Sequence, residues 1–216
     1  MNYKYLIFDL DGTLTDSSPG IFNALRYAFR EMGEAVPADE ALRLFVGPPL
    51  LEPLTALYGF SMEEAEEFVR LFRVYYDKKG VYENSPYKGV PEMLSGLRAA
   101  GYTLAVATTK PERMAYRVTD HFDMTRFFSA IAGATSEHNS KADSIKLVFD
   151  RLGIAPGKLS ECLMIGDRRH DVEGAKICGI DCLGVKYGFS DGDELEKAGA
   201  KYITETVEET RRFFGA

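Results

Sequence analysis

The chain opens on a short apolar run, Tyr5-Leu6-Ile7-Phe8, that reads as a buried strand. It stops in acidic sequence, Asp9-Leu10-Asp11-Gly12-Thr13, where an ordinary Gly, Asn or Ser turn would serve as well. The period then changes. Ser17-Ser18-Pro19 supplies a helix start, with Ser at the cap and Pro just inside. Ile21, Leu25, Ala28 and Met32 follow at helical spacing up to Gly33. The same spacing continues over 38–45, 49–58 and 62–78, the last opened by Ser61 and Glu64 in capping-box register. Nothing between Ser17 and Tyr82 alternates as a strand does.

From Pro86 apolar strands and amphipathic helices take turns. Helices are predicted over 90–100, 111–122, 141–152, 171–178 and 194–198, with a further one at the end of the sequence. Strands are predicted over 102–107, 128–132, 162–165, 183–185 and 202–203. Such alternation requires crossover connections and a parallel sheet covered on both faces. The expected fold is therefore α/β: a doubly wound, Rossmann-like parallel sheet built from residues 1–16 and 86–216, with an inserted α-helical domain over 17–85.

Composition narrows the partners. With 216 residues, 45% of them hydrophobic and 12% aromatic, the chain can bury a core. A net charge of -7 and a pI near 5.1 argue against holding a nucleic-acid polymer. A local metal or lysine field can still bind a small phosphorylated metabolite. No apolar run approaches the roughly 20 residues that span a bilayer, and the first residues lack the basic and apolar segments of a signal peptide. Cys162, Cys178 and Cys182 sit in or beside apolar segments and complete no zinc set. The expectation is a cytoplasmic protein free of membrane, monomeric or homodimeric.

In open parallel sheets, ligands bind beyond the carboxyl ends of the strands. By the two-residue period, Asp9 and Asp11 share one side of the first strand exit. Carboxylates that close repel each other unless a cation sits between them. The strand ending at Ala107 leads into Thr108-Thr109-Lys110-Pro111, and the strand ending at Ile165 leads into Gly166-Asp167-Arg168-Arg169-His170-Asp171. Lys141 falls in the first turn of its helix.

This set suits phosphoryl transfer. Asp9 and Asp167 offer the hard oxygen ligands that Mg²⁺ prefers. Asp9 is the candidate nucleophile, and Asp11, two residues on, the candidate acid and base. Thr108, Thr109, Gly12 and Lys141 are candidates to hold the phosphoryl oxygens. Asp171 by itself reads as a helix cap.

Taken together, Asp9-x-Asp11-Gly12-Thr13, Thr108, Lys141 and Gly166-Asp167-x-x-x-Asp171 resemble the four motifs of the haloacid dehalogenase superfamily. The helical block resembles that family's cap domain, inserted after the first strand. The resemblance implies Asp9 as nucleophile, Asp11 as acid/base, and Thr108 and Lys141 as phosphate holders. It further implies Mg²⁺ held by Asp9, the carbonyl of Asp11 and Asp167, with Asp171 supporting the metal site. Dehalogenases of the family lack the second Asp, and its phosphonate hydrolases carry a small residue there, so Asp11 leaves phosphomonoester hydrolysis or phosphosugar mutation. Val46-Gly47-Pro48-Pro49-Leu50, Tyr87-Lys88-Gly89-Val90 and Gly166-Asp167-Arg168 resemble the phosphoglycolate phosphatase and 5′-nucleotidase branch. Two segments depart from the pattern: Ser140-Lys141-Ala142-Asp143 lacks the prolines common in the family, and Ser136-Glu137-His138-Asn139 is short for that branch.

Gly47, Pro48 and Arg168 are candidate substrate contacts. Phe68, Phe72, Tyr75 and Tyr76 read as packing within the helical block, and Ser17-Ser18 and Asn84-Ser85 as hinge strands of a lid. A mutase of the same superfamily would return isomerised sugar phosphate with little free phosphate. A non-catalytic phospho-ligand module would have no need of four retained acids.

Overall fold

Residues 2–46, 50–135 and 139–215 are described by a computed structural model. In chain order the strands are β1 (Tyr5–Phe8), β2 (Thr15–Asp16), β3 (Ser85–Pro86), β4 (Thr103–Pro111), β5 (Ala130–Ala134), β6 (Cys162–Gly166), β7 (Asp181–Val185) and β8 (Tyr202–Thr204). The helices are α1 (Ser18–Glu31), α2 (Asp39–Leu42), α3 (Leu51–Tyr58), α4 (Met62–Tyr76), α5 (Val90–Ala99), α6 (Glu112–His121), α7 (Lys141–Leu152), α8 (Arg169–Ile177), α9 (Glu194–Ala198) and α10 (Val207–Phe213). The chain divides into two compact units, Met1–Asp16 with Pro86–Ala216, and Ser17–Ser85.

In the first unit six strands form one sheet in the order β5-β4-β1-β6-β7-β8, every neighbouring pair parallel. β1 lies inside because Leu6, Ile7 and Phe8 are fully buried and can face helices on both sides. The chain moves outward from β1 through β4 to β5, then returns to the other flank of β1 with β6. That reversal is the switch point at which open α/β sheets form their ligand crevice. Phe8 pairs with Val106 on one side and Ile165 on the other, so the residues that follow reach the carboxyl edge of the sheet at one level.

Alternate residues of the strands feed two cores. On one face Ile7, Ala105, Ala107, Ala130, Ala132 and Met164 join Ile145, Val148, Val172 and Ala175 of α7 and α8. The alanines of β4 and β5 matter to function, because small side chains let α7 lie close to the sheet. Leu6, Phe8, Leu104, Val106, Leu163 and Ile165, the alternate set, are fully buried as well.

The predicted strand over 102–107 ends too early: β4 runs to Pro111, with an irregularity in its pairing to β5 between Ala107 and Pro111. Its final residues lack the apolar character by which a buried strand is recognised. The strand predicted over 128–132 begins instead at Ala130, because a 3-10 turn over Thr125–Phe127 runs up against it.

The helical unit has its own core. Phe29 of α1 meets Phe68 of α4 edge-on at 4.7 Å between centroids, with Phe45 and Tyr58 against the same ring. Phe68, Phe72 and Tyr76 are buried, while Tyr75 rests on Tyr27 and donates to Glu83 at 2.9 Å. Ser61 caps α4 as its sequence indicates, accepting from the Glu64 N–H at 3.2 Å while Glu64 accepts from the Ser61 N–H at 2.8 Å. Ser17 does not: it precedes α1 with φ -90° and ψ 0°, and its buried hydroxyl makes no cap bond. The helix predicted over 38–45 is instead α2 followed by a 3-10 turn over Arg43–Phe45, since so short a segment without a side-chain cap is marginal as an α-helix. No helix of the described residues is long and apolar enough to cross a membrane.

Candidate active site

β1 gives way at Asp9 to a tight turn closed by N–H bonds from Leu14 and Thr15 to the Leu10 carbonyl, at 2.9 and 3.0 Å. Leu10 and Leu14 are fully buried, which anchors the turn to the core and fixes the acids on either side of Leu10. Gly12, at φ +88°, takes a conformation that a side chain resists. A Cβ there would also collide with the Asp167 carboxylate, so the glycine is required twice over. Gly166 at the end of β6 makes the matching allowance for Asp171.

The two acids of the first exit part company. Asp9 is buried, and its Oδ1 lies 2.7 Å from the Lys141 ammonium. Asp11 is turned to Lys110, whose Nζ lies 2.9 and 2.8 Å from the two carboxylate oxygens. Asp9 is instead joined by Asp167 and Asp171, each with an oxygen within 4.8 Å of the others. Asp11 thus gives no carboxylate oxygen to the cluster, and the part its family resemblance assigns it there is its main-chain carbonyl. Asp171, expected only to support a metal site, stands in the cluster itself.

Each member is held by the fold. Asp167 accepts from the Thr13 hydroxyl at 2.9 Å and from the Phe189 N–H at 2.7 Å. Asp171 occupies the third position of α8 and accepts from the Arg168 N–H at 3.0 Å, a cap that also suits the positive end of the helix. Its other oxygen lies 2.8 Å from Lys141. Lys141 opens α7, whose first turn is fixed by a reciprocal Ser140–Asp143 capping box. A cation at a helix N-terminus opposes the dipole, so α7 gains nothing from this lysine. The offset comes from the charges of Asp9 and Asp171, at 2.7 and 2.8 Å, and from the Ala107 carbonyl, which accepts from the ammonium at 3.0 Å.

Electrostatics follow from burial. Burial pushes the Asp9 carboxyl up to about 6; Lys141 opposes this, while the charges of Asp171 and Asp11 add to it. Asp167 is raised well above the ordinary carboxylate range by burial and by the charges of Asp171 and Asp9. Burial alone would lower Lys141, yet Asp171 and Asp9 hold it above its ordinary value, so it stays charged. Buried carboxylates of this kind ask for a further cation.

Thr108 and Lys110 are buried and Thr109 between them is exposed, the two-residue alternation of an extended strand. The Thr108 oxygen accepts from the Lys110 N–H at 3.1 Å, and Ser144 of α7 donates to the Thr108 carbonyl at 2.8 Å. Thr109, expected to hold phosphate beside Thr108, is exposed, while Lys110 is buried as Thr108 is. Lys110 was detectable from its i+2 spacing to Thr108, had the strand been extended past its apolar run. Arg168, a candidate substrate contact, turns its Nε to Glu194 at 3.0 Å and thereby fastens the start of α8 to α9. Gly47 and Pro48 lie outside the described residues.

The segment after β7 also serves the site, without a motif that marks it in the sequence. The Tyr187 hydroxyl donates to the Thr13 carbonyl at 2.9 Å, and the Phe189 N–H holds Asp167. Between them Gly188 passes so close to Gly12 that a Cβ would strike the Gly12 carbonyl oxygen. A backbone donor and a close backbone approach leave no side-chain signature to find.

Comparison with known proteins gives the family. The profile of the haloacid dehalogenase-like hydrolase family matches residues 6–185. A 5′-nucleotidase of Pseudomonas aeruginosa is 41% identical over 197 residues, covering 90% of this chain and 88% of that protein. The tyrosine-protein kinase PtkA of Mycobacterium tuberculosis is 39% identical over 216 residues, 98% of this chain and 72% of the kinase. A phosphoglycolate phosphatase of Pseudomonas savastanoi is 34% identical over 211 residues, 94% of this chain and 77% of that enzyme. The solved structure of a haloacid dehalogenase-like family hydrolase from Streptococcus pneumoniae superposes with a TM-score of 0.92 at 33% identity, covering 99% of each chain. The chain thus belongs to the haloacid dehalogenase-like hydrolases.

Proposed function

We propose that the protein is a Mg²⁺-dependent phosphatase of small phosphomonoesters, of the phosphoglycolate or nucleoside 5′-monophosphate type, working through an aspartyl-phosphate on Asp9. Its class, a phosphoric monoester hydrolase, follows from the family and its phosphatase relatives. One observation carries the rest: Asp9, Asp167 and Asp171 converge, buried, at the sheet's switch point, with Lys141 on Asp9 and Asp11 set apart on Lys110.

The residues present fit a hard cation. The cluster offers only carboxylate oxygens, and the buried Asp9 Oδ1 and Asp171 Oδ1 face Lys141 without an aligned hydrogen bond. Asp9, Asp167, Asp171 and the Asp11 carbonyl would hold Mg²⁺. Held there, the ion would supply screening of the repulsion between Asp9 and an incoming phosphate.

The chain's own groups do the remainder. Lys141 fixes the Asp9 carboxylate, which attacks phosphorus. Asp11 gives its proton to the departing oxygen and later takes one from the hydrolytic water. The Thr108 hydroxyl, which accepts from Lys110, retains its own hydrogen for a phosphoryl oxygen.

Phosphate release should be measured across nucleotides, phosphoglycolate and sugar phosphates, with Mg²⁺ and with EDTA. Turnover that requires Mg²⁺ is expected; no release from any compound would refute the reading. The kinase-named relative motivates a second reading, transfer of the phosphoryl group from Asp9 to a protein tyrosine instead of water. Labelled ATP with a tyrosine-containing acceptor distinguishes the two.

A further inference from the structure

Lys110 is a buried cation that the proposed chemistry has not yet used. Its side chain is 6% exposed and its Nζ engages both oxygens of Asp11, itself 20% exposed on its side chain. An ammonium is expensive to bury and persists only where its partner is well placed. A single ammonium across both oxygens fixes the plane and direction of the carboxylate, as one hydrogen bond would not. The partners lie 99 residues apart and come from different strand exits, β1 and β4.

We propose that Lys110 is the positioning residue of Asp11, aiming its carboxylate at the oxygen that leaves and then at the water that enters. The inference rests on the phosphatase reading. In the first step an Asp9 oxygen bonds to phosphorus as the bond to the leaving oxygen breaks. The leaving oxygen keeps that electron pair and takes the proton of Asp11. In the second step a water oxygen bonds to phosphorus and gives a proton to Asp11. The phosphorus–Asp9 bond breaks, and its electron pair returns to the Asp9 carboxylate. The proton gained in the second step is the one given in the next cycle. Lys110 acts on the reacting atoms through Asp11. An acid/base held loosely transfers protons poorly, since small misplacements cost large factors in rate.

The test uses leaving groups that differ in their need for a proton. Glycerol phosphate departs as an alkoxide and needs one; p-nitrophenyl phosphate departs as a stable phenolate and does not. In Lys110→Met, turnover of glycerol phosphate should fall about 10²- to 10³-fold, the range of a lost acid/base. The first turnover of p-nitrophenyl phosphate should stay within about threefold of wild type. A burst of nitrophenolate should then precede a slow steady state, because hydrolysis of the phosphoenzyme also needs Asp11. Adding Lys110→Met to Asp11→Asn should cost no more than about twofold further, since residues acting as a unit are not additive. Lys110→Arg, which keeps the cation and can bridge both oxygens, should recover most of the alkyl rate and keeps the proposal testable if the Met variant misfolds. Equal losses on both esters, or additive losses in the double variant, would overturn the assignment. Wild-type protein inactive on both esters would bring down the phosphatase reading beneath it.

Discussion

Replacing Asp9 by Asn should abolish turnover and, without divalent metal, should stabilise the protein at neutral pH. Burial is the main reason that the Asp9 carboxyl is raised from an ordinary 3.8 to about 6. A carboxyl raised in the native state binds protons there that the unfolded chain has released. Its stabilising contribution is therefore complete below pH 3.8 and is lost as pH rises through about 6. The interval corresponds to about 3 kcal/mol. For a chain of this length, that is about 6–12 °C in Tm. Asn carries no such penalty but gives up the ion pair with Lys141, which keeps Asp171 at 2.8 Å. The net expectation is a gain of several degrees at pH 7.5 that shrinks toward zero near pH 4. Thermal melts of both proteins in EDTA at the two pH values measure it. Adding Mg²⁺ should then raise the wild type, by about 2.7 kcal/mol at a hundredfold excess over Kd, and barely move the variant. A variant less stable than wild type at pH 7.5 in EDTA, or a difference that ignores pH, would refute the electrostatic reasoning.

Two further substitutions probe other parts of the site. Asp11→Asn should lower turnover of alkyl phosphates about 10²- to 10⁴-fold and leave labelled phosphate on the protein after acid quench; unlabelled protein turning over normally would contradict the acid/base role. Gly188→Ala should cost about 1–3 kcal/mol in a denaturant titration and weaken Mg²⁺ binding by calorimetry, because its methyl group must push back the Gly12 carbonyl beside Asp167. An alanine variant indistinguishable from wild type in both would show that the segment after β7 moves freely.

The sequence was most informative where structure is local. β1, α7 and α9 have the bounds their apolar and capping patterns indicate, and the parallel alternation gives the sheet. Capping boxes are legible because donor and acceptor lie three residues apart, as Ser61 and Glu64 do. Long-range pairs are not. Nothing near Asp11 announces Lys110, and without that partner the i, i+2 spacing suggested that both acids converge on one cation. The two-residue period places side chains on a face but does not say which oppositely charged group waits there. Nothing near Arg168 announces Glu194 of α9 either, to which its Nε donates at 3.0 Å. Ser17 shows the limit of local rules, since it sits at the right position with a backbone conformation that cannot offer its hydroxyl to the helix.

The lysine at the start of α7 has a consequence for valence. With Asp9, Asp167 and Asp171 ionised, Lys141 cancels one of their three charges. Two negative charges remain, and a doubly charged ion alone brings the cluster to neutrality. A singly charged ion would leave it anionic and repel a phosphate dianion. One uncompensated charge at about 4 Å is worth about 4 kcal/mol at an effective dielectric constant of 20. A triply charged ion would overshoot and hold inorganic phosphate after the reaction. Lys141 is therefore a counterweight: by spending one charge inside the protein, it sets the charge that the site will accept from outside.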